Sequence, residues 1–263
     1  MARSVLLTGA GGRVGQAILR DLGEAHDWRL LDREPLPRGK LPDGIDNSDV
    51  YVADVSNKQA VKEAARGCEV IIHLAGDPRP NAPWESVLRN NIDGTRTVLQ
   101  AAVEVDVDKV VFASSNHAVG FYEDERKPDI YRDHDDYRLD GTELPRPTNL
   151  YGVSKAAGET LARYYHDEHD LSVVCVRIGN LTESHPPRNY ERGQAMWLSY
   201  TDCAHLFDCC VRADYGYEIV YGISDNDRKY YDIEPTREIL GYEPRDNSAE
   251  YHLDGTPKDE SDE

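Results

Sequence analysis

Tyr151 and Lys155 stand four apart in the run Tyr-Gly-Val-Ser-Lys, 36 residues after Ser115, which with Ser114 closes an apolar stretch. Residues four apart on a helix share one face, so this phenol and ammonium point into the same pocket. A free tyrosine titrates near about 10, and a cation held beside it favours the phenolate and brings it toward working pH. With the serine arriving from the end of a neighbouring strand, the trio reads as a proton-transfer site. Exposed helices carry Tyr-x-x-x-Lys by chance, so the reading depends on what surrounds it.

A second constellation lies near the N-terminus. Gly9-Ala10-Gly11-Gly12-Arg13-Val14-Gly15 follows an apolar run at 5–8 and opens a helical pattern. Glycines there permit a tight turn and let backbone N–H groups and a helix N-terminus approach a pyrophosphate. Asp32 ends the next apolar run about 20 residues on, where an acid accepts hydrogen bonds from a ribose diol. That carboxylate repels a 2′-phosphate, which favours NAD over NADP, although Arg33 beside it pulls the other way. Asp54 and Val55 are expected to flank the adenine, with a helix cap as the alternative for Asp54. Leu74, Ala75 and Gly76 leave room at a strand end for a ligand to pass.

These groups need a scaffold that gathers strand ends. Short apolar runs at 5–8, 28–32, 50–54, 70–74, 110–114 and 173–177 read as buried parallel strands. Helical patterns at 13–22, 58–65, 84–105 and 150–166 alternate with them. The expected fold is α/β, a Rossmann-type doubly wound parallel sheet with its ligand crevice beyond the carboxyl ends of the strands. Residues 1–179 are expected to form the NAD-binding domain, 180–250 a small substrate lobe integrated with it, with a helix at 201–212. Residues 251–263 are expected to be an acidic, disordered tail.

The chain has 263 residues, 49 acidic against 30 basic, and a net charge of −19. Eight of the basic residues are lysines and 22 are arginines. Such a surface makes nucleic acid a poor partner. Carboxylate-rich and lysine-poor, it suits high salt, where like-charge repulsion is screened. Five cysteines without a Cys-x-x-Cys pair argue against a disulfide framework or zinc site and for a reducing cytoplasm. No leader or membrane span is expected from the apolar pattern. His166 and His169 share a helix face without a third ligand, and residues 133–136 read as a solvated acidic loop, so no metal is expected.

With the Gly motif, Asp32, Leu74-Ala75-Gly76, Ser115 and Tyr151-x-x-x-Lys155 in order, residues 3–240 resemble the extended short-chain dehydrogenases/reductases. The segments 114–122 and 177–180 are similar to the uronate dehydrogenase branch. Segments 88–95 and 221–231 are more similar still to the haloarchaeal NAD-dependent glucose-6-phosphate dehydrogenases. The resemblance implies that Tyr151 is the general base, Lys155 lowers its pKa and holds the nicotinamide ribose, and Ser115 orients the reacting oxygen. It places Asn91 and Ile178 on the cofactor side and Arg192 on the substrate's anion. It implies a homo-oligomer built on helices 84–105 and 150–166.

Asn116, His117 and Asn180 follow strands five and six, where sugar hydroxyls are expected, with a structural role as the alternative for His117. An arginine fork suits carboxylate and phosphate alike, so Arg192 does not choose between them. Arg188 and Arg79 are expected to add donors for a phosphate, the alternative being pairing with surface acids. The expected reaction is oxidation of glucose 6-phosphate at C1 by NAD. Uronate oxidation is the alternative, followed by sugar epimerisation and NAD sensing without turnover.

Overall fold

The computed structural model describes residues 1–45, 49–131 and 136–258. Most of the acidic loop at 133–136 and the last five residues of the tail lie outside them.

Seven parallel strands build the main sheet: β1 (Ser4–Thr8), β2 (Asp27–Asp32), β3 (Val50–Val52), β4 (Val70–His73), β5 (Lys109–Ser115), β6 (Ser172–Ile178) and β9 (Tyr217–Gly222). Their order is β3-β2-β1-β4-β5-β6-β9. β5 is buried along its whole length, as a central strand covered on both faces must be. On one face α1 (Arg13–Leu22) packs beside α8 (Tyr200–Arg212), where Ala17 and Ile18 meet Leu206 and Phe207 in one cluster. On the other face lie α2 (Lys58–Ala65), α4 (Gly94–Glu104) and α6 (Leu150–His169), burying Val61, Val98, Leu99 and Ala162. Both faces of the Rossmann-type doubly wound sheet are therefore closed. Among the described residues, no helix is long and apolar enough to cross a membrane.

The expected helix at 84–105 has a break in its winding. A short turn α3 (Trp84–Ser86) runs into a π-helical segment, Val87–Asp93, before α4 resumes the α-helix. A π-segment re-aims side chains within a continuous helix, and such segments recur at functional sites.

Residues 180–250 do not all lie apart from the main sheet. β9 joins it beside β6, and α8 covers α1. The lobe proper holds β7 (Asn180–Thr182), α7 (Glu191–Ala195) and β8 (Trp197–Ser199), with β7 and β8 paired in parallel. It rests on a third cluster containing Met196, Tyr131, Tyr221, Tyr230 and Tyr231.

The described part of the expected tail, residues 251–258, is tied to the body of the protein. Tyr251 pairs with Pro257 in an antiparallel bridge, and its ring meets Trp197 edge-on at 5.7 Å. The Asn189 N–H donates to the Leu253 carbonyl at 2.6 Å, and the Gln194 Nε2 donates to that of His252 at 3.3 Å. The segment straps the loop between β7 and α7.

Candidate active site

The carboxyl ends of β1, β2, β4, β5 and β6 open into one cleft of about 1010 Å³. Gly9, Gly12, Arg13, Val14, Gly15, Asp32, Asp54, Val55, Leu74, Ala75, Gly76 and Ile178 line one part of it. Ser115, Asn116, His117, Tyr151, Lys155, Asn180 and Arg192 line the rest.

The Gly loop is shaped for close approach. Gly9 has φ of +72°, and a Cβ there would come within 2.8 Å of the Ala75 backbone nitrogen. The Gly11 N–H donates to Asp32 Oδ2 at 2.8 Å, so the carboxylate fastens the loop while lining the cleft. Gly12 caps α1 without a side-chain acceptor, and no acid sits in the helix's first turn. The orphan amides and the positive end of the helix dipole are left for an anion. Donor loop, helix end and the Asp32 carboxylate together fit a dinucleotide.

Asp54 is not the cap of α2. Asn57 takes that place, and Asp54 accepts from the Ser56 N–H and hydroxyl at 2.9 and 2.6 Å, which hold its carboxyl below the usual range. Asn91 does not reach the cleft. Its Oδ1 accepts from the Asp77 N–H at 2.7 Å, and its Nδ2 donates to the Asp77 carbonyl at 3.1 Å and to Ser154 Oγ at 2.9 Å. From the π-segment it braces the wall behind Gly76, tying β4's exit to α6.

α6 begins at the cap Asn149, whose side chain accepts from the Gly152 N–H at 2.8 Å. That start sets Tyr151 and Lys155 facing the end of β5. Lys155 Nζ donates to the Ala113 carbonyl at 2.7 Å and lies 5.0 Å above the Phe112 ring. Burial lowers its pKa to about 8, opposed only by the charge of Glu159. Burial moves the Tyr151 phenol the other way, above its ordinary value, and a hydrogen bond with Ser115 pulls it back. The Lys155 ammonium is bonded to a backbone carbonyl and sits 5.6 Å from the Tyr151 ring.

Under the trio, Arg177 is fully buried and grips Glu159 through Nε and Nη2 at 2.9 and 3.0 Å. Glu159 accepts from Ser114 Oγ at 2.6 Å. This paired network locks β5, β6 and α6 together, and pairing of this kind is what makes a buried charge tolerable.

Beyond Ser115, Asn149 Nδ2 lies 3.0 Å from His117 Nδ1. An amide nitrogen only donates, so the ring proton belongs on Nε2. Burial, and then the nearby Arg192, push the His117 pKa down and keep the ring neutral. The buried Asn116 Oδ1 has no hydrogen-bond partner among the described residues. A buried acceptor left bare costs about 1–3 kcal/mol, which a hydroxyl donor from a ligand would recover.

Two expected arginines lie elsewhere. Arg79 spends its fork on Asp77, with Nε and Nη2 at 2.9 and 2.6 Å, and does not line the cleft. Arg188 packs against Gly255 of the C-terminal strap and is likewise outside the cleft wall. Sequence reasoning passed over Tyr190, which lines the cleft and accepts from Arg192 Nη1 at 3.3 Å. It also passed over Glu123, buried behind Arg192 and bonded to its Nε at 2.5 Å. Tyr190 lies between the two arginines expected at the anion, Arg188 and Arg192, whereas Glu123 sits in an acidic run with no distinguishing spacing.

The profile of the NAD dependent epimerase/dehydratase family matches residues 5–201. An NAD-dependent glucose-6-phosphate dehydrogenase of Haloferax volcanii is 69% identical over 99% of this chain and 100% of its own length. A uronate dehydrogenase of Pseudomonas putida is 34% identical over 94% of this chain and 85% of its own. A mutant uronate dehydrogenase from Agrobacterium tumefaciens, solved complexed with NAD, superposes with a TM-score of 0.81. It is 32% identical and the match covers 99% of this chain and 92% of that one. The matched span runs from β1 into α8 and takes in the Gly loop, Ser115, Tyr151, Lys155 and Arg192, and the chain belongs to the NAD dependent epimerase/dehydratase family.

Proposed function

We propose that this protein oxidises glucose 6-phosphate at C1 to 6-phosphoglucono-lactone, with NAD as the oxidant. The observation that carries the reading is the 69% identity, over nearly the whole chain, to a relative of that activity. The cleft supplies the groups the reaction needs. The Gly loop and the start of α1 would hold the pyrophosphate, Asp32 the adenosine ribose, and Lys155 the nicotinamide ribose. A bound nicotinamide supplies the acceptor for the hydrogen that leaves C1 as hydride.

Tyr151 takes the proton of the C1 hydroxyl, so that C1 and its oxygen form the carbonyl of the lactone. Ser115 bonds the same oxygen and favours the phenolate. Asn116 Oδ1 and the His117 Nε2 proton meet sugar hydroxyls. Arg192 and Tyr190 take the anion. Tyr151→Phe should reduce turnover by at least about a hundredfold while NAD still binds, as read by NADH absorbance and by calorimetry with NAD. Near-normal turnover would overturn the base assignment.

Uronate oxidation is the second reading, favoured by one observation. Arg188 and Arg79 are turned away, so the fork of Arg192 meets the anion without the further arginines a phosphate was expected to gather. The case for phosphate therefore rests on kinship rather than on arginine number. Parallel assays at high salt with glucose 6-phosphate and glucuronate decide it, and a preference for glucuronate would reverse the assignment.

The reading includes a homo-oligomer. Trp84, Leu88, Leu150, Val153 and Tyr164 stay exposed on α3, the π-segment and α6, an apolar surface suited to a second copy. Light scattering at assay concentration tests this, and a monomer would refute it.

A further inference from the structure

Arg192 does not stand alone at the anion end of the cleft. Its Nε donates to Glu123 Oε1 at 2.5 Å, and the Tyr131 hydroxyl donates to the same oxygen. Glu123 belongs to α5 (Gly120–Asp124), is 4% exposed, and does not itself line the cleft. Arg192 keeps 22% of its side chain open to the cleft. Its Nη1 meets the Tyr190 hydroxyl at 3.3 Å, and among the described residues no hydrogen bond forms from Nη2.

A guanidinium is planar, and its five N–H donors are fixed relative to one another. Fixing Nε therefore fixes the plane, and with it the direction in which the Nη edge presents its donors. Glu123 is well placed for this. Its Oε1 also accepts from the hydroxyl of Tyr131, which belongs to a buried cluster with Tyr230 and Tyr231, so a second bond holds the carboxylate in place. The phenols around it remain neutral, because burial and the Glu123 charge both raise Tyr131 and Tyr230. The arginine thus meets an anion with its orientation already fixed, which lowers the ordering cost of binding.

We infer that Glu123 is a positioning residue for substrate choice: by fixing the Nε edge of Arg192, it aims the Nη edge at the anionic group of the sugar and makes the enzyme prefer a charged sugar over its neutral counterpart. This rests on the reading that Arg192 takes the substrate's anion. Glu123 touches neither the reacting carbon nor the cofactor cleft, so its influence belongs in KM for the anionic sugar and in the ratio of kcat/KM between glucose 6-phosphate and glucose.

The test compares Glu123→Ala, Glu123→Gln and Arg192→Ala in the full-length enzyme. The wild type is assayed first, and a wild type inactive on glucose 6-phosphate condemns the functional reading before any variant bears on Glu123. With an active wild type, Glu123→Ala should lower the glucose 6-phosphate to glucose ratio by roughly tenfold, mainly through KM. Glu123→Gln keeps an acceptor for Nε and should hold the ratio within about threefold of wild type. In the Arg192→Ala background, Glu123→Ala should change the ratio no further, the non-additivity expected of two residues acting as one unit. A merely structural Glu123 would lower activity on both sugars alike, and an unchanged ratio in Glu123→Ala would overturn the inference. If that variant does not fold, Glu123→Met, of similar length but without an acceptor, takes its place with the same expected ratio.

Discussion

Lys155 is a cation held where cations are costly. It is 5% exposed, has one carbonyl as hydrogen-bond acceptor, and titrates at about 8 against an ordinary 10.5. Below pH 8 the charged form is present in the folded state at a cost, and the shift corresponds to about 3 kcal/mol at most. Between about 8 and 10.5 the unfolded chain binds the proton that the folded chain has released, so stability rises with pH across that window. Lys155→Met should therefore raise stability at pH 7 by on the order of 1–3 kcal/mol, with the gain shrinking above pH 8. Denaturant unfolding across pH checks both signs, and a less stable variant at pH 7 contradicts the account. Ser115→Ala removes the group that favours the phenolate, so the rising limb of kcat/KM against pH should move to higher pH. An unmoved limb would free Ser115 of that role. That Tyr151, Lys155 and Ser115 meet in one cleft was legible because helical spacing and a strand end bring them together. What Lys155 bonds was not, and neither was which carboxylate takes an arginine fork. Arg79 finds Asp77 two residues away, whereas Arg192 finds Glu123 across 69 residues of chain.

At the scale of elements, the helices α1 and α2 lie where apolar periodicity put them, since their boundaries are written in amphipathic spacing and local caps. The π-segment was invisible, because an extra residue in one turn leaves the surrounding periodicity almost untouched. β9 was missed because Tyr217-Glu-Ile-Val-Tyr-Gly222 is a half-buried edge strand whose aromatic and acidic residues mask its apolar centre. The strap at 251–258 was missed because its polar composition resembles that of a free tail. Its hold on the loop between β7 and α7 comes from backbone carbonyls, which carry no residue signature. A chain ending at Glu250 should bind the sugar more weakly, with KM up by roughly tenfold and kcat changed much less. Steady-state kinetics reads this out, and an unchanged KM would deny the strap any part in holding α7 and its Arg192.

Taken whole, the molecule is strongly acidic, at −19, and that charge opposes compaction in dilute buffer. Raising salt toward about 1 M shortens the screening length to about 3 Å, so the thermal midpoint should climb steeply with potassium chloride. Scanning calorimetry across salt measures it, and full stability in dilute buffer would contradict the salt-adapted reading. The pairing of α1 with α8 has a separate consequence, in the order of synthesis. The apolar face of α1 is covered in part by Leu206 and Phe207, and Arg20 lies over the Tyr200 ring at 5.2 Å. On the ribosome, then, the Gly loop and its helix emerge well before α8 yet cannot complete their packing until residues 200–212 have been made. An early part of the chain is among the last to close, so a stalled or truncated product lacking α8 leaves part of that face bare to chaperones and proteases.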